Sequence, residues 1–535
     1  MQLANEIPEL MNRFSRARRA AFLVSLAFLL AAPADAQTDS AQAKTPSAST
    51  KRKASRRRAK RPRRRAAPRI VLPRYTAPQG AGALAMDLGS LTARVRSGQW
   101  GAMVISLSRG DTLFAQNAGA SLMPASTMKL LTSSIAFDRF GPEYQLSTDA
   151  LRDGTVGPDG TLHGDLYLRG DGDPALSGKF LPGGPDEPMR RLAAMIAAAG
   201  IKRVSGSVVG DASGFDDQRI PQGWLPRYLQ SSYAARVSAL SLNENLVAVA
   251  ITPGARGAPA SAELEPSSTA IPLQSSVRTV AGRRARLSFR KQSNGAIQVS
   301  GSIGAFAGTR KYVYIVEDPA SFATGALRNA LVAHGIAVDG APRLGRTPAS
   351  AVKVASLKSP PLFSMIAAMD RESINHYAEL LFRDAARGPA QDVTGSVANA
   401  SQLLNSFFAD KVHTDPSGLY FADGSGLSVL DRVTARAMTQ LLGYAHTSPW
   451  GPWLHASLPV AGGSQLLRRR MRNTPAEGNL HAKTGTTNNV IALAGYVTAA
   501  DGEILAFSFL YNGTDRWTAK SIIDVMGETM ASFGR

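Results

Sequence analysis

Between Lys51 and Arg65 the chain carries eleven Lys or Arg in fifteen residues and no Asp or Glu. Such a run repels itself and has nothing to bury, so it cannot join a packed core. The same bias extends over residues 1–80, with 18 Lys and Arg against 4 Asp and Glu, whereas residues 81–535 hold 43 against 36. The net charge of +21 is therefore mostly a property of the first 80 residues. Whatever folds must be built from about residue 81 onward, and that remainder is long enough to bury a core unaided. The chain has no cysteine, which removes disulfides, thiolate catalysis and Cys-based metal sites together.

Ahead of the basic run, Arg13, Arg16, Arg18 and Arg19 precede an apolar segment from Ala20 to Ala32. Ala34-Asp35-Ala36 then places small residues at the positions a signal peptidase reads. The apolar stretch is short of the ~20 residues needed to span a bilayer. Residues 1–36 are thus expected to be a cleaved secretory signal, residues 37–80 a disordered basic tail, and the protein exported and periplasmic. Export removes nucleic acid as the partner of Lys51 to Arg65 and leaves an anionic envelope surface as the candidate. A solvated spacer without a specific partner is the alternative reading.

Past residue 80 the composition becomes ordinary, and a hairpin followed by a helix stands at each end. Trp100 to Ser108 and Asp111 to Gln116 flank Arg109-Gly110 as a β-hairpin. Ser126 to Phe140 follows, with Met128, Leu130, Leu131, Ile135, Ala136 and Phe140 recurring at helical spacing after Pro124. At the far end Ile491 to Thr498 and Ile504 to Leu510 form a hairpin about Asp501-Gly502, and Thr518 to Phe533 carries an apolar helical face. Residues 150–345 are punctuated by Gly and Pro and broken into short alternating runs such as Leu162 to Leu168 and Leu246 to Ile251. Helical stretches at Met189 to Ala199 and Phe322 to His334 interrupt them. The pattern predicts a discontinuous domain, 81–150 with 345–535, holding an insert at 151–344 with a nested β-rich subdomain near 246–310.

Three short motifs carry chemistry. Ser126-Thr127-Met128-Lys129 sets a hydroxyl and an amine three positions apart at a helix start, hence on one face. A serine is a poor nucleophile until a neighbour takes its proton, and a lysine can do so only when neutral. The spacing recurs at Ser288 to Lys291, which continues an alternating strand, and at Ser350 to Lys353, which runs into Val352, Val354 and Pro360-Pro361. Both of these read as structural. Lys483-Thr484-Gly485 directly precedes the apolar strand Val490 to Val497, so a cation, a hydroxyl and a glycine suited to close approach line one strand edge. Ser373-Ile374-Asn375 lies between these motifs and, taken alone, reads as surface polar residues. No His-Glu-x-x-His pair, Gly-x-Ser-x-Gly elbow or phosphate-binding Gly-Lys-Ser/Thr occurs.

In this order, Ser-x-x-Lys, Ser-x-Asn and Lys-Thr-Gly resemble the set used by penicillin-recognising serine enzymes. The surroundings resemble the D-alanyl-D-alanine carboxypeptidase/endopeptidase family of penicillin-binding protein 4 type, the low-molecular-mass class C penicillin-binding proteins. The matching stretches are Leu122 to Thr132, Gly164 to Leu168, Gly170 to Pro174, Ala239 to Asn245, Val316 to Ala320, Asp423 to Ser428, and Ala482 to Thr486 leading to Ala494-Gly495-Tyr496-Val497. They run from about residue 85 to the end. The 247 positions from Ser126 to Ser373 fit a branch with inserted domains better than a compact β-lactamase.

The resemblance implies an α/β (α+β) penicillin-recognising serine transpeptidase-like fold, an antiparallel sheet covered by helices, with the β-rich insert between the first and second motifs. It implies cleavage of D-alanyl-D-alanine, and of D-alanyl cross-links to a diamino acid, in peptidoglycan stem peptides. The route would be a Ser126 acyl-enzyme, with β-lactams as covalent inhibitors and no cofactor or metal. Lys129 would take the serine proton, its ammonium disfavoured by Lys483 and partial burial. Ser373 would relay a proton to the leaving amine, Asn375 would hold the peptide amide, and Lys483 with Thr484 and Gly485 would bind the terminal carboxylate end. The N–H groups of Ser126 and Thr486 would form the oxyanion hole. Ile374 stands where a polar residue is common, and Thr487-Asn488-Asn489 is more polar than usual. Glu379 lies on the helix of the second motif and no Glu follows until Glu477, so the deacylating glutamate of a class A β-lactamase has no counterpart. A β-lactamase or esterase of the same fold, and a non-catalytic wall-binding protein, are the alternatives.

Overall fold

The computed structural model describes residues 74–292, 295–463 and 465–535, so the expected signal and the tail before Arg74 lie outside the described residues. The body begins sooner than the charge pattern predicts. Thr76 Oγ1 donates to Asp87 at 2.6 Å, and the Gly80 N–H bonds the Gly534 carbonyl at 2.8 Å. Residues 76–80 are held because they close the start of the body onto its end.

The two hairpins read from sequence merge into one sheet. Gln99–Ser106 runs antiparallel along Ile504–Asn512, from Gln99 opposite Asn512 to Ser106 opposite Leu505. Thr112–Gln116 flanks it on one side, and Val490–Thr498 then His481–Thr486 extend the other, giving five antiparallel strands. Successive side chains point to opposite faces, and here both sets are apolar, so both faces must be covered. Leu505, Phe507, Phe509 and Tyr511 enter a core with helices Ala81–Thr92 and Arg516–Ala531. Ala506 and Leu510 enter the opposite core, with helices Met128–Phe140, Leu362–Glu372, Asn375–Arg387 and Ala435–Thr447. The sheet is therefore antiparallel and covered by helices, as the resemblance implied.

The insert has a mixed seven-stranded sheet of its own, in which Ser147–Val156 pairs with Thr161–Gly170 on one side and Val352–Lys358 on the other. Helices Glu187–Ala198 and Pro319–Ala333 share its core. Ser147 lies opposite Lys358, so the strands by which the chain enters and leaves the insert pair with each other. This moves the insert's ends out from 151 and 344 to 147 and 358, because two adjacent crossings satisfy their backbone groups by forming a ladder. Two three-stranded sheets are nested inside. One is Leu246–Thr252, Ser261–Glu265 and Arg310–Ile315, and the other is Leu273–Val280, Ala285–Lys291 and Ile297–Gly304. They enclose Val249, Ile251, Val277, Val299 and Ile303, and extend the nested region from 310 to 315.

Phe509 is fully buried in the strand that joins the two ends of the chain. Phe509→Ala is expected to destabilise the protein by about 3–5 kcal/mol, measured as an earlier loss of near-ultraviolet circular dichroism along a urea series.

Candidate active site

The approach to Ser126 is held from outside its own helix. Asn512 accepts the Met123 N–H at 2.8 Å and donates to the Met123 carbonyl at 3.0 Å. Ala125 sits at φ +48°, a left-handed conformation that costs a residue with a Cβ and persists only where the surroundings impose it. The short turn Ala125–Thr127 then leads into the helix Met128–Phe140, which stops at Gly141. Ser126 stands at the mouth of that helix, and Lys129 is one turn further in.

Lys129 is completely buried. Its Nζ donates to Ser126 Oγ at 3.2 Å, to Asn375 Oδ1 at 2.7 Å and to the Ser425 carbonyl at 2.7 Å. Asn375 is delivered by a break between two helices. Leu362–Glu372 ends with Ser373 in the left-handed region at φ +58°, and Asn375–Arg387 begins two residues later. Asn375 Nδ2 in turn donates to the Tyr233 carbonyl at 2.9 Å, a group of the insert. Lys483 is also completely buried, and its Nζ donates to Ser373 Oγ at 2.9 Å and to the Thr484 carbonyl at 3.1 Å. All three motifs converge, and each hydroxyl faces its own buried lysine.

Lys-Thr-Gly lies within the edge strand His481–Thr486 rather than before a strand. A Cβ at Gly485 would fall 2.7 Å from the Pro124 carbonyl, so only glycine lets this strand press on the Ser126 turn. The Ala482 N–H points out of the sheet to Pro459, and the Thr487 N–H points back to Val490. Strand alternation then turns the N–H groups of Thr484 and Thr486 outward, beside the Ser126 turn.

Burial pushes Lys129 down to about 8, against the pull of the carboxylates of Asp423, Glu379, Asp370 and Asp431. Burial pushes Lys483 down to about 7, the positive charge of Lys129 adds to this, and Asp370 opposes it. The expected partial burial of Lys129 is thus complete burial, and the repulsion between the lysines weighs on Lys483.

Sequence reasoning missed Asp370 and the role of Asp423 beneath the lysines. Asp370 is completely buried, and its Oδ2 accepts from Ser133 Oγ at 2.9 Å and Ser457 Oγ at 3.1 Å. Burial raises it to about 6, while Lys483, the two serines and Lys129 pull it down. The available signal was an acid in the last turn of a helix, where the macrodipole disfavours negative charge. Asp423 accepts the N–H groups of Ser425, Gly426 and Ser428 at 2.9, 2.6 and 2.7 Å and the Trp224 indole at 2.8 Å. That turn aims the Ser425 carbonyl at Lys129, and the Asp-Gly-Ser-Gly composition advertised it. Gly426, at φ +79°, approaches so closely that a Cβ would lie 1.8 Å from the Ala125 carbonyl oxygen. Glu379 accepts from Arg383 at 3.0 Å and from the Gly424 N–H at 3.2 Å, inside the core.

The other Ser-x-x-Lys matches stay outside. Ser288 is on the strand Ala285–Lys291 with Lys291 paired to Glu317, and Lys353, three residues beyond Ser350, pairs with Asp149.

The profile of the D-Ala-D-Ala carboxypeptidase 3 (S13) family matches residues 84–533. The chain belongs to this family. It is 32% identical over 451 residues to a D-alanyl-D-alanine carboxypeptidase of Actinomadura sp. (strain R39), covering 81% of each chain. It is 25% identical over 440 residues to the D-alanyl-D-alanine carboxypeptidase DacB of Haemophilus influenzae, covering 80% of this chain and 88% of that one. The crystal structure of penicillin binding protein 4 (dacB) from Haemophilus influenzae shares the fold, with a TM-score of 0.68 at 24% identity over 83% of this chain and 98% of the other. The family makes the chain a serine-type peptidase, with the penicillin-recognising fold implied by its motifs.

The negative charge of Asp370 holds protons on both lysines, so its removal lowers the pH at which they become neutral. Asp370→Asn should move the acid limb of penicillin acylation to lower pH by about half to one unit. A limb that stays in place while the rate falls equally at every pH would show that Asp370 is only a packing group.

Proposed function

We propose that this chain is an exported DD-peptidase that releases the terminal D-alanine of peptidoglycan stem peptides and opens D-alanyl cross-links through a Ser126 acyl-enzyme. The observation that carries this reading is the 3.2 Å contact of Ser126 Oγ with a buried lysine whose proton affinity is depressed. Neutral Lys129 takes the Ser126 proton as Oγ attacks the penultimate D-alanine carbonyl. The outward N–H of Thr486, with that of Ser126, receives the oxyanion, a contribution of about 3 kcal/mol per donor. Ser373, bonded to Lys483, passes a proton to the leaving amine, and water then cleaves the ester. Asn375 holds the substrate amide, and Lys483, Thr484 and Gly485 line the strand edge that receives the carboxylate end.

Hydrolysis of a β-lactam by a glutamate-activated water is disfavoured by the position of Glu379, which is buried and bonded to Arg383 and the Gly424 N–H. β-Lactams are thus expected to trap Ser126 as slowly released adducts. Carboxypeptidase and endopeptidase reactions share acylation and differ only in the amine that leaves.

Ser126→Ala should abolish fluorescent-penicillin labelling and D-alanine release, while Ser288→Ala and Ser350→Ala keep both. Lys129→Ala should lower acylation by roughly 10²–10⁴-fold. Labelling that survives Ser126→Ala and disappears in Ser350→Ala would sink the assignment. Product analysis on cross-linked muropeptides should show monomers, and intact dimers would restrict the activity to free D-alanyl-D-alanine ends. Export predicts that protein recovered from the envelope begins at Gln37, as read by N-terminal sequencing, with residues 37–73 as its anionic-surface tether.

A further inference from the structure

From Pro266 to Val316 the chain contains no Asp or Glu and eight Lys or Arg. Without this stretch, residues 81–535 hold 35 basic against 36 acidic side chains, so it supplies the whole positive excess of the folded body. Its two lysines are paired, Lys291 with Glu317 at 2.8 Å and Lys311 with Glu265 at 2.5 Å. Among the described residues none of its six arginines has a carboxylate partner.

The nested sheet Leu273–Val280, Ala285–Lys291, Ile297–Gly304 arranges these charges. Its inner face buries Val277, Val299 and Ile303. Across its outer face the register places Arg286, Ser302 and Arg278 in one row, then Ser288, Ser300 and Ser276, then Arg290, Gln298 and Gln274. That face bears no acid, and its one apolar side chain is Val280 at the end of the strand. At one end the turns 280–284 and 304–308 close on each other. The Ala305 N–H bonds the Val280 carbonyl at 2.8 Å, and the Phe306 N–H bonds the Gly282 carbonyl at 3.0 Å. A Cβ at Gly304 would lie 2.3 Å from the Gly282 oxygen, so glycine allows the two turns to touch. The joined tip presents Phe306, which at 74% exposure is the most exposed large apolar side chain among the described residues, with Val280 at 41% and Arg283 and Arg284 in the open.

We propose that this tip docks on an anionic phospholipid bilayer, with Phe306 and Val280 entering the headgroup boundary and Arg283, Arg284 and Arg286 on lipid phosphates. The combination decides the occupant. Unpaired arginines without intervening acids match a negative surface, and exposed apolar groups beside them match the hydrocarbon edge that lies beneath phosphates. A wall polymer offers hydroxyls and carboxylates but nothing to cover Phe306. The site is independent of the tail before residue 74 and of the reaction at Ser126.

The test uses the full chain with vesicles of mixed phosphatidylglycerol and phosphatidylcholine, phosphatidylcholine vesicles, and lipid-free wall sacculi. Because the chain has no cysteine, an environment-sensitive fluorophore on F306C is a unique label. It should shift to the blue on the anionic vesicles and not on the neutral ones, and the shift should fade with added salt. R283Q/R284Q should weaken binding to the anionic vesicles, read from the insertion signal, roughly 25-fold, on the order of fivefold per arginine. F306S should reduce cosedimentation with the anionic vesicles. Penicillin labelling and D-alanine release should be unchanged in R283Q/R284Q and F306S, which shows that they fold. An unshifted label on anionic vesicles, an equal shift on neutral ones, or a signal indifferent to R283Q/R284Q overturns the proposal. Loss of binding to sacculi instead of vesicles would reassign the tip to the wall.

Discussion

The structure depends on hiding one ammonium group from water. Burying a charge of this kind costs several kcal/mol unless it is fully bonded, and Lys129 meets the demand with three acceptors from residues 126, 375 and 425. No two of these are neighbours in the chain, so satisfying one nitrogen brings three segments to one point. Each acceptor is fixed in its turn. Asn375 is held by the Tyr233 carbonyl, and the Ser425 carbonyl is aimed by the turn that Asp423 organises. Tyr233 and Trp224 both belong to the insert, which is thereby a structural member of the cleft.

The second lysine makes the cleft an electrostatic balance rather than a collection of contacts. Lys129 lies close enough to weaken the hold of Lys483 on its proton, and Asp370 sits beneath both as a buried counter-charge bonded to Ser133 and Ser457. Neutral amines near neutral pH are what hydroxyl activation needs. Glu379, although near, is buried and already engaged. Its carboxylate is bonded to Arg383 and to the backbone of the loop that carries Ser425.

Positive charge is divided between two places of different physical kind. In the first 80 residues it is concentrated in the run Lys51 to Arg65, which has no large apolar residue, whereas between 266 and 316 it is spread over a registered sheet and a tip carrying an exposed aromatic side chain. The first can attract a surface only through charge. The second combines charge with shape and apolar area, and so can distinguish lipid from other polyanions.

Much of the fold was legible locally. Hairpin 99–116, the helix after Ser126, the terminal hairpin and the helix that follows were readable because alternation and helical spacing are set by neighbouring residues. The motif residues were legible as chemistry, since a serine, a lysine and their spacing state what they can do before their partners are known. The joining of Gln99–Ser106 to Ile504–Asn512, the pairing of Ser147–Val156 with Val352–Lys358, and the Asp370 and Asp423 supports were not. By itself the sequence determined where a core can form, the order of the motifs and the reactive groups. Only the tertiary structure decided that two lysines would be dehydrated together and which carboxylates would face them, because those energies arise between residues hundreds of positions apart and leave no periodic trace along the chain.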